Sequence, residues 1–126
     1  MLINFSNHPS DRWSAEQSNA ALSKYGEIVD ISFPNVDAYA SGEEIFLLAK
    51  CFADEIEARS PDAVLCQGEF SLAFATAWLL MKKGIPVICA CSERDAEEVV
   101  NADGNTMRKT VFKFVRFREY KLPQGI

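Results

Sequence analysis

The stretch that decides the fold is "DAVLCQGEFSLAFATAWLLMKKG", residues 62–84. It opens as an apolar run, passes through Gln67, Gly68 and Glu69, and then carries no charge from Phe70 to Met81. The first part lacks polar alternation, as expected of a strand covered on both faces. The part after Gly68 reads as a helix. A polar corner between two buried elements is costly to keep, because buried polar groups must find partners.

Outward from this core the same rhythm repeats. "IPVICACS" (85–92) is the next strand, again without polar alternation. Upstream, "MLINFS" reads as a short buried strand and "EIVDISF" as a β-branched one ended by Pro34. "DRWSAEQSNAALSKYG" carries Ser14 and Gln17 at capping-box spacing and Gly26 at its exit, so it reads as a helix. "SGEEIFLLAKCFADEIEARSP" is the clearest helix, with Ser41 and Glu44 at its start and apolar residues at helical spacing from Ile45 to Ile56. Strand and helix in strict alternation imply parallel strands with right-handed crossovers. The expected architecture is a Rossmann-like three-layer α/β sandwich with a mostly parallel sheet. One domain covers residues 1–126. After Ser92 the rhythm stops, and "ADGN" lies between two extended runs, predicting an antiparallel hairpin at about residues 95–120.

The chain has 126 residues, 48% of them apolar, including nine Phe, enough for a real core. The apolar run in "MLINFSNHP" is too short for a signal peptide, and the run Leu72–Met81 falls far short of a membrane span. A soluble protein is expected, cytoplasmic by default and without membrane contact. The four cysteines (51, 66, 89, 91) form no Cys-x-x-Cys pair and there is one histidine, so reduced core thiols are expected and no metal site. The net charge of −5 is uneven: residues 105–121 carry +5, leaving −10 on the remainder. An acidic body disfavours long nucleic acids, whereas a local basic patch suits a small anionic ligand. A charged, solvated edge strand reads from the same pattern.

Ligands of open parallel sheets bind outside the carboxyl ends of the strands. Three polar corners fall there: "SNHPS" after the first strand, "QGEFS" after the third and "SERD" after the fourth. Gly68 suits either a tight turn or a close approach of backbone to phosphate, with the N–H groups of Glu69, Phe70 and Ser71 facing an anion. Neither a Walker loop nor a G-x-G-x-x-G is present, and no cofactor is expected. Glu69 suits the helix dipole, a ribose hydroxyl or a base. His8 is incidental or a proton carrier near neutral pH. Ser6 and Asn7 suit a phosphate or base contact, or the capping of a turn. Arg94 suits a phosphate clamp or a surface pair with Asp95 or Glu97. In "VFKFVRFREY", an unbroken strand puts Phe112, Phe114, Arg116, Arg118 and Tyr120 on one face, suited to base stacking or to a dimer interface.

"NFSNHP", "QGEF", "SER" and the closing "FKFVRFREY" together resemble the small stand-alone proteins of CRISPR type III loci, the ring nucleases and related binders allied to the CARF (CRISPR-associated Rossmann fold) group. The similarity is best over residues 62–120. The resemblance implies a homodimer that binds cyclic oligoadenylate, usually the four-membered ring, across its two-fold axis. It implies metal-independent cleavage by a ribose 2′-hydroxyl, or sequestration of the ring without cutting. Carried onto this sequence, the ligand loop is Ser6, Asn7 and His8; the second corner is Gln67, Gly68, Glu69 and Phe70; the third is Ser92, Glu93 and Arg94. The basic strand supplies Arg116 and Arg118. Arg118 or Arg94 would stabilise the scissile phosphate, and Glu69 or His8 would handle protons. An unrelated Rossmann-like nucleoside or nucleotide enzyme with Glu69 as nucleophile and a plain protein-interaction module that uses the basic strand are the remaining alternatives.

Overall fold

The computed structural model describes residues 1–123. In chain order it contains β1 (Leu2–Ser6), a 3-10 turn (Ser10–Arg12), α1 (Ala15–Tyr25), β2 (Ile28–Ser32), α2 (Gly42–Ala58), β3 (Ala63–Gln67), α3 (Phe70–Lys82), β4 (Val87–Val100) and β5 (Thr106–Glu119). The sheet order is β2-β1-β3-β4-β5. The first three pairings are parallel and β4–β5 is antiparallel. The Rossmann-like layering expected from the alternation is therefore present, with three helices on a mostly parallel sheet.

Burial follows from strand periodicity, since successive side chains leave a strand on opposite faces. One face offers Leu2, Ala63, Leu65 and Ile88 to Ala21 of α1, with Trp13 and Tyr25 packed alongside. The other offers Ile3, Phe5, Val64, Cys66 and Val87 to Ala53 and Ile56 of α2 and Leu80 of α3. Phe5 is fully buried, with its ring centroid 4.8 Å from those of both Phe33 and Phe52. Of the two capping boxes expected, that of α2 is complete and that of α1 is half made. Ser41 and Glu44 complete a reciprocal capping box, and the Ser14 hydroxyl accepts the Gln17 N–H. Cys66 is buried, and that burial pushes its thiol up to about 12 and keeps it protonated. Cys51, expected in the core, is exposed on α2.

The carboxyl part of the chain departs from expectation in two ways. First, β4 does not end near Ser92. It runs unbroken to Val100 and forms with β5 a ribbon of two 14-residue strands, closed by a turn at Asn101–Asn105. Asn101 Oδ1 accepts the N–H groups of Asp103 and Asn105, and Gly104 takes φ 82°, a conformation that glycine adopts without cost. The "ADGN" turn is thus present, but Ser92, Glu93 and Arg94 lie within a strand and not in a corner. The strand continues because β5 supplies a ladder partner at nearly every position from Ile88 to Val100.

Second, the register slips between Cys91 and Ser92: Cys91 pairs with Arg116, Ser92 with Phe114, and Val115 is the extra residue. A bulge shifts which residues share a face. Phe117 joins Phe114 and Phe112 on the α1 side, with Phe114 and Phe117 centroids 4.9 Å apart. Arg116 and Arg118 pair instead with Cys91 and Cys89 on the opposite side. The single face of aromatics and arginines expected for an unbroken strand is therefore divided in two.

Candidate functional site

The three predicted polar segments do reach one edge. β1, β3 and β4 run parallel, so Ser6, Gln67 and the middle of β4 lie together at the carboxyl end of the sheet. There, on the α1 side, is a cavity of about 410 Å³. Its floor is Ser6, Leu65, Gln67, Ala90 and Ser92 from the strands. Its rim is His8, Arg12, Trp13, Ser14 and Gln17 on one side and Phe112 and Phe114 on the other. Arg94 stands beside it, its guanidinium 5.6 Å from the centre of the Phe112 ring. Among the described residues Arg94 enters no ion pair; Asp95 and Glu97 both pair with Lys113, at 3.1 and 3.5 Å.

The first loop is built from buried polar atoms. Asn4 is 1% exposed, and its Nδ2 donates to the His8 carbonyl at 2.9 Å and to Asp30 Oδ1 at 3.0 Å. The Ser6 hydroxyl lies 2.6 Å from Asn4 Oδ1 and 3.1 Å from the His8 carbonyl, and it accepts the His8 N–H. Trp13 Nε1 donates to the same carbonyl at 3.1 Å. Asp30 Oδ2 accepts both the N–H and the hydroxyl of Ser10. Satisfied buried networks of this kind rigidify their surroundings. Ser6 therefore works mainly within the protein, fixing the turn that brings His8 to the cavity. Asn7 is exposed on that turn.

β3 and β4 pair only at Val64–Val87 and Leu65–Ile88. Past that point the Gln67 side chain takes over, accepting the Ala90 N–H at 2.8 Å. The main-chain ladder gives way to a side chain, and the space between the strands becomes part of the cavity floor.

The "QGEF" corner serves structure more than expected. A Cβ on Gly68 would lie 2.6 Å from the Phe33 ring, so glycine is required by packing. Gly68→Ala is expected to cost about 1–3 kcal/mol, the usual cost of overpacking, read as a lower thermal midpoint. The Glu69 carboxylate accepts the N–H groups of Ser71 and Leu72 and the Ser71 hydroxyl. The first turn of α3 is thus capped by its own side chain, and not all of its N–H groups are left for an anion. These bonds, that from Leu72 foremost, hold the Glu69 carboxyl below its usual range, which weakens it as a base. A carboxyl lowered in the folded state stabilises above its unfolded value, near 4.5, and that contribution disappears as pH falls through the folded value. Glu69→Ala is expected to lower the melting temperature at pH 7, with the difference from wild type shrinking below about pH 4. Phe70 is 90% exposed and lines a different, apolar groove of about 310 Å³ beside α3.

The structure thus gathers Ser6, His8, Gln67 and Ser92 at the cavity and Arg94 next to it. It does not bring Phe70, Glu93, Arg116 or Arg118 there: Glu93 and Arg118 take strand positions of the opposite face, the Arg116 side chain folds back so that its Nε donates to the Phe117 carbonyl, and Phe70 lies on α3. Sequence reading missed Arg12, Trp13 and Gln17, because "DRWSAEQ" was absorbed into a helix. The 3-10 turn and the Ser14 cap instead hold Arg12 and Trp13 outside α1. An Asn in the apolar strand "LINFS" and an Asp in "IVDIS" were the available signals for the network beneath. Among the described residues no three His, Cys, Asp or Glu side chains gather as metal ligands would. Among the described residues no helix is long and apolar enough to cross a membrane.

This combination defines a Rossmann-like domain with a mixed aromatic, amide and arginine cavity at its carboxyl edge. A family model described as "Uncharacterized protein MJ1673 family" matches residues 1–118, and the chain belongs to that family. No curated protein and no solved structure matches the chain.

Proposed function

We propose that this protein binds cyclic oligoadenylate, the four-membered ring above all, and cleaves it without a metal, as a homodimer in the cytoplasm that ends type III CRISPR signalling. The observation that carries the reading is the composition of the carboxyl-edge cavity. Trp13, Phe112 and Phe114 offer flat faces for a base, Gln17 and Gln67 offer amides for its edge, and Arg12 with the neighbouring Arg94 offers charge for phosphate. At about 410 Å³ the cavity is at the small end of ligand pockets. It suits one segment of a nucleotide ring, so two copies are needed to hold a whole one.

Cleavage requires only that a ribose 2′-hydroxyl be held in line with the adjacent phosphorus. The 2′-hydroxyl gives up its proton to solvent water as its oxygen forms the new P–O bond, the bond to the 5′-oxygen breaks, and the products end in a 2′,3′-cyclic phosphate and a 5′-hydroxyl. The protein's share is positioning and charge stabilisation. Arg94 and Arg12 neutralise the charge developing on the phosphate. His8, presented by the Asn4–Ser6 network, delivers a proton to the departing 5′-oxygen. Glu69 is a poor choice for this work, since its oxygens are engaged in capping α3. That same engagement gives no support to a Glu69 nucleophile. It does favour a second reading, in which the ring is sequestered uncut because no strong base stands at the site.

Incubation of the protein with cyclic tri-, tetra- and hexa-adenylate in EDTA, followed by mass spectrometry, separates these readings. Linear products ending in a cyclic phosphate are expected. Intact ring that co-elutes with the protein selects sequestration, and neither cleavage nor co-elution overturns both.

A further inference from the structure

One helix face is left uncovered by the described residues. Phe70, Phe74 and Trp78 follow one another at four-residue intervals along α3, which places them in a single stripe. They are 90%, 73% and 40% exposed. The opposite side of α3, with Leu72, Thr76 and Leu80, is fully buried, so the helix is already seated and the stripe faces away from its own core. Beside it runs the groove whose far wall is Tyr120 and Leu122, both also exposed by about two fifths.

We infer that this stripe is the surface on which a second copy of the chain packs, a placement that rests on the two-copy reading of the site and specifies where the copies meet. Area is the first argument. A buried aromatic side chain removes roughly 150–250 Å² from water, so the exposed fractions of these three correspond to about 400 Å². A standard interface needs about 800 Å² from each partner. Three side chains thus supply half, and Tyr120 and Leu122 extend the patch. Self-complementarity is the second argument. A two-fold contact sets a surface against itself. From Phe70 to Met81 α3 carries no charge, so none of the acidic residues behind the net −5 lies on the stripe; beside it stand Lys82, its ammonium 5.4 Å from the centre of the Trp78 ring, and Lys121 on the groove wall. Small residues, Ala73 and Ala77, line the groove and let another helix approach closely.

Sedimentation velocity over a dilution series, with and without cyclic tetra-adenylate, tests this on the full chain. The wild type is expected at the mass of a dimer. Phe74→Glu is expected at the mass of a monomer, with self-association weakened at least a hundredfold and an unchanged circular dichroism spectrum. Phe70→Glu, at the most exposed position of the stripe, provides a second variant with no fold to disturb. If both variants dimerise as the wild type does, the inference fails while the two-copy site stands. A wild type that stays monomeric under both conditions overturns the inference and the two-copy site together.

Discussion

Truncating Phe5 to alanine is expected to destabilise the protein by about 3–5 kcal/mol, the range for removing a buried aromatic ring. Phe5 is fully buried in the carboxyl half of β1, and β1 is flanked by both β2 and β3. Its ring meets Phe33 from the segment after β2 and Phe52 from α2, each at 4.8 Å. The cavity left behind is therefore lined by a sheet strand, a helix and a connection. None of these collapses easily, because the strand is hydrogen-bonded on both sides. For a domain of marginal stability, about 5–15 kcal/mol in total, such a loss is a large fraction. Urea unfolding measures it directly. A cost below about 1 kcal/mol would contradict the packing described for this face of the sheet. The site should follow, since Phe33 also sets the space available at Gly68.

The second large effect concerns the ligand. Arg94→Ala is expected to weaken binding of cyclic tetra-adenylate roughly tenfold to a hundredfold, the equivalent of losing a charge-assisted hydrogen bond of about 1.5–3 kcal/mol. Arg94 is on the α1 side of the ribbon, stacked over Phe112, and no carboxylate competes for it among the described ion pairs. The same assay on Arg118→Ala discriminates between the two faces. Arg118 pairs with Cys89 on the other side of the sheet, and a smaller loss is expected there. A loss at Arg118 that exceeds the loss at Arg94 would move the phosphate to the α3 side and away from the cavity.

These two arginines also show where sequence reading reached its limit. The layered fold was legible because its signals are local: caps at Ser14 and Ser41, apolar spacing from Ile45 to Ile56, and a strand–corner–helix transition at Gln67–Phe70. The meeting of the carboxyl ends followed from strand direction alone. What was not legible depended on one residue. Nothing in "VFKFVRFREY" announces that Val115 is unpaired, yet that bulge decides which side Phe117, Arg116 and Arg118 occupy. The reach of β4 was hidden for a related reason. Its second half is exposed and charged, so it lacks the pattern of a buried strand and is held by its ladder to β5. The polar corner at Gly68 and Glu69 was correctly marked as unusual. Its local explanations, contact with Phe33 and capping of α3, involve a ring from elsewhere in the chain and a side chain folding back on its own helix.

The central claim is that two copies of this chain hold one cyclic oligoadenylate at their carboxyl edges. Isothermal titration of the wild-type protein with cyclic tetra-adenylate in EDTA tests it most directly, with the linear tetramer as control. The account predicts saturable binding at one ring per two chains, in clear preference to the linear form. No heat of binding with any cyclic adenylate, or one ring per chain, would contradict it.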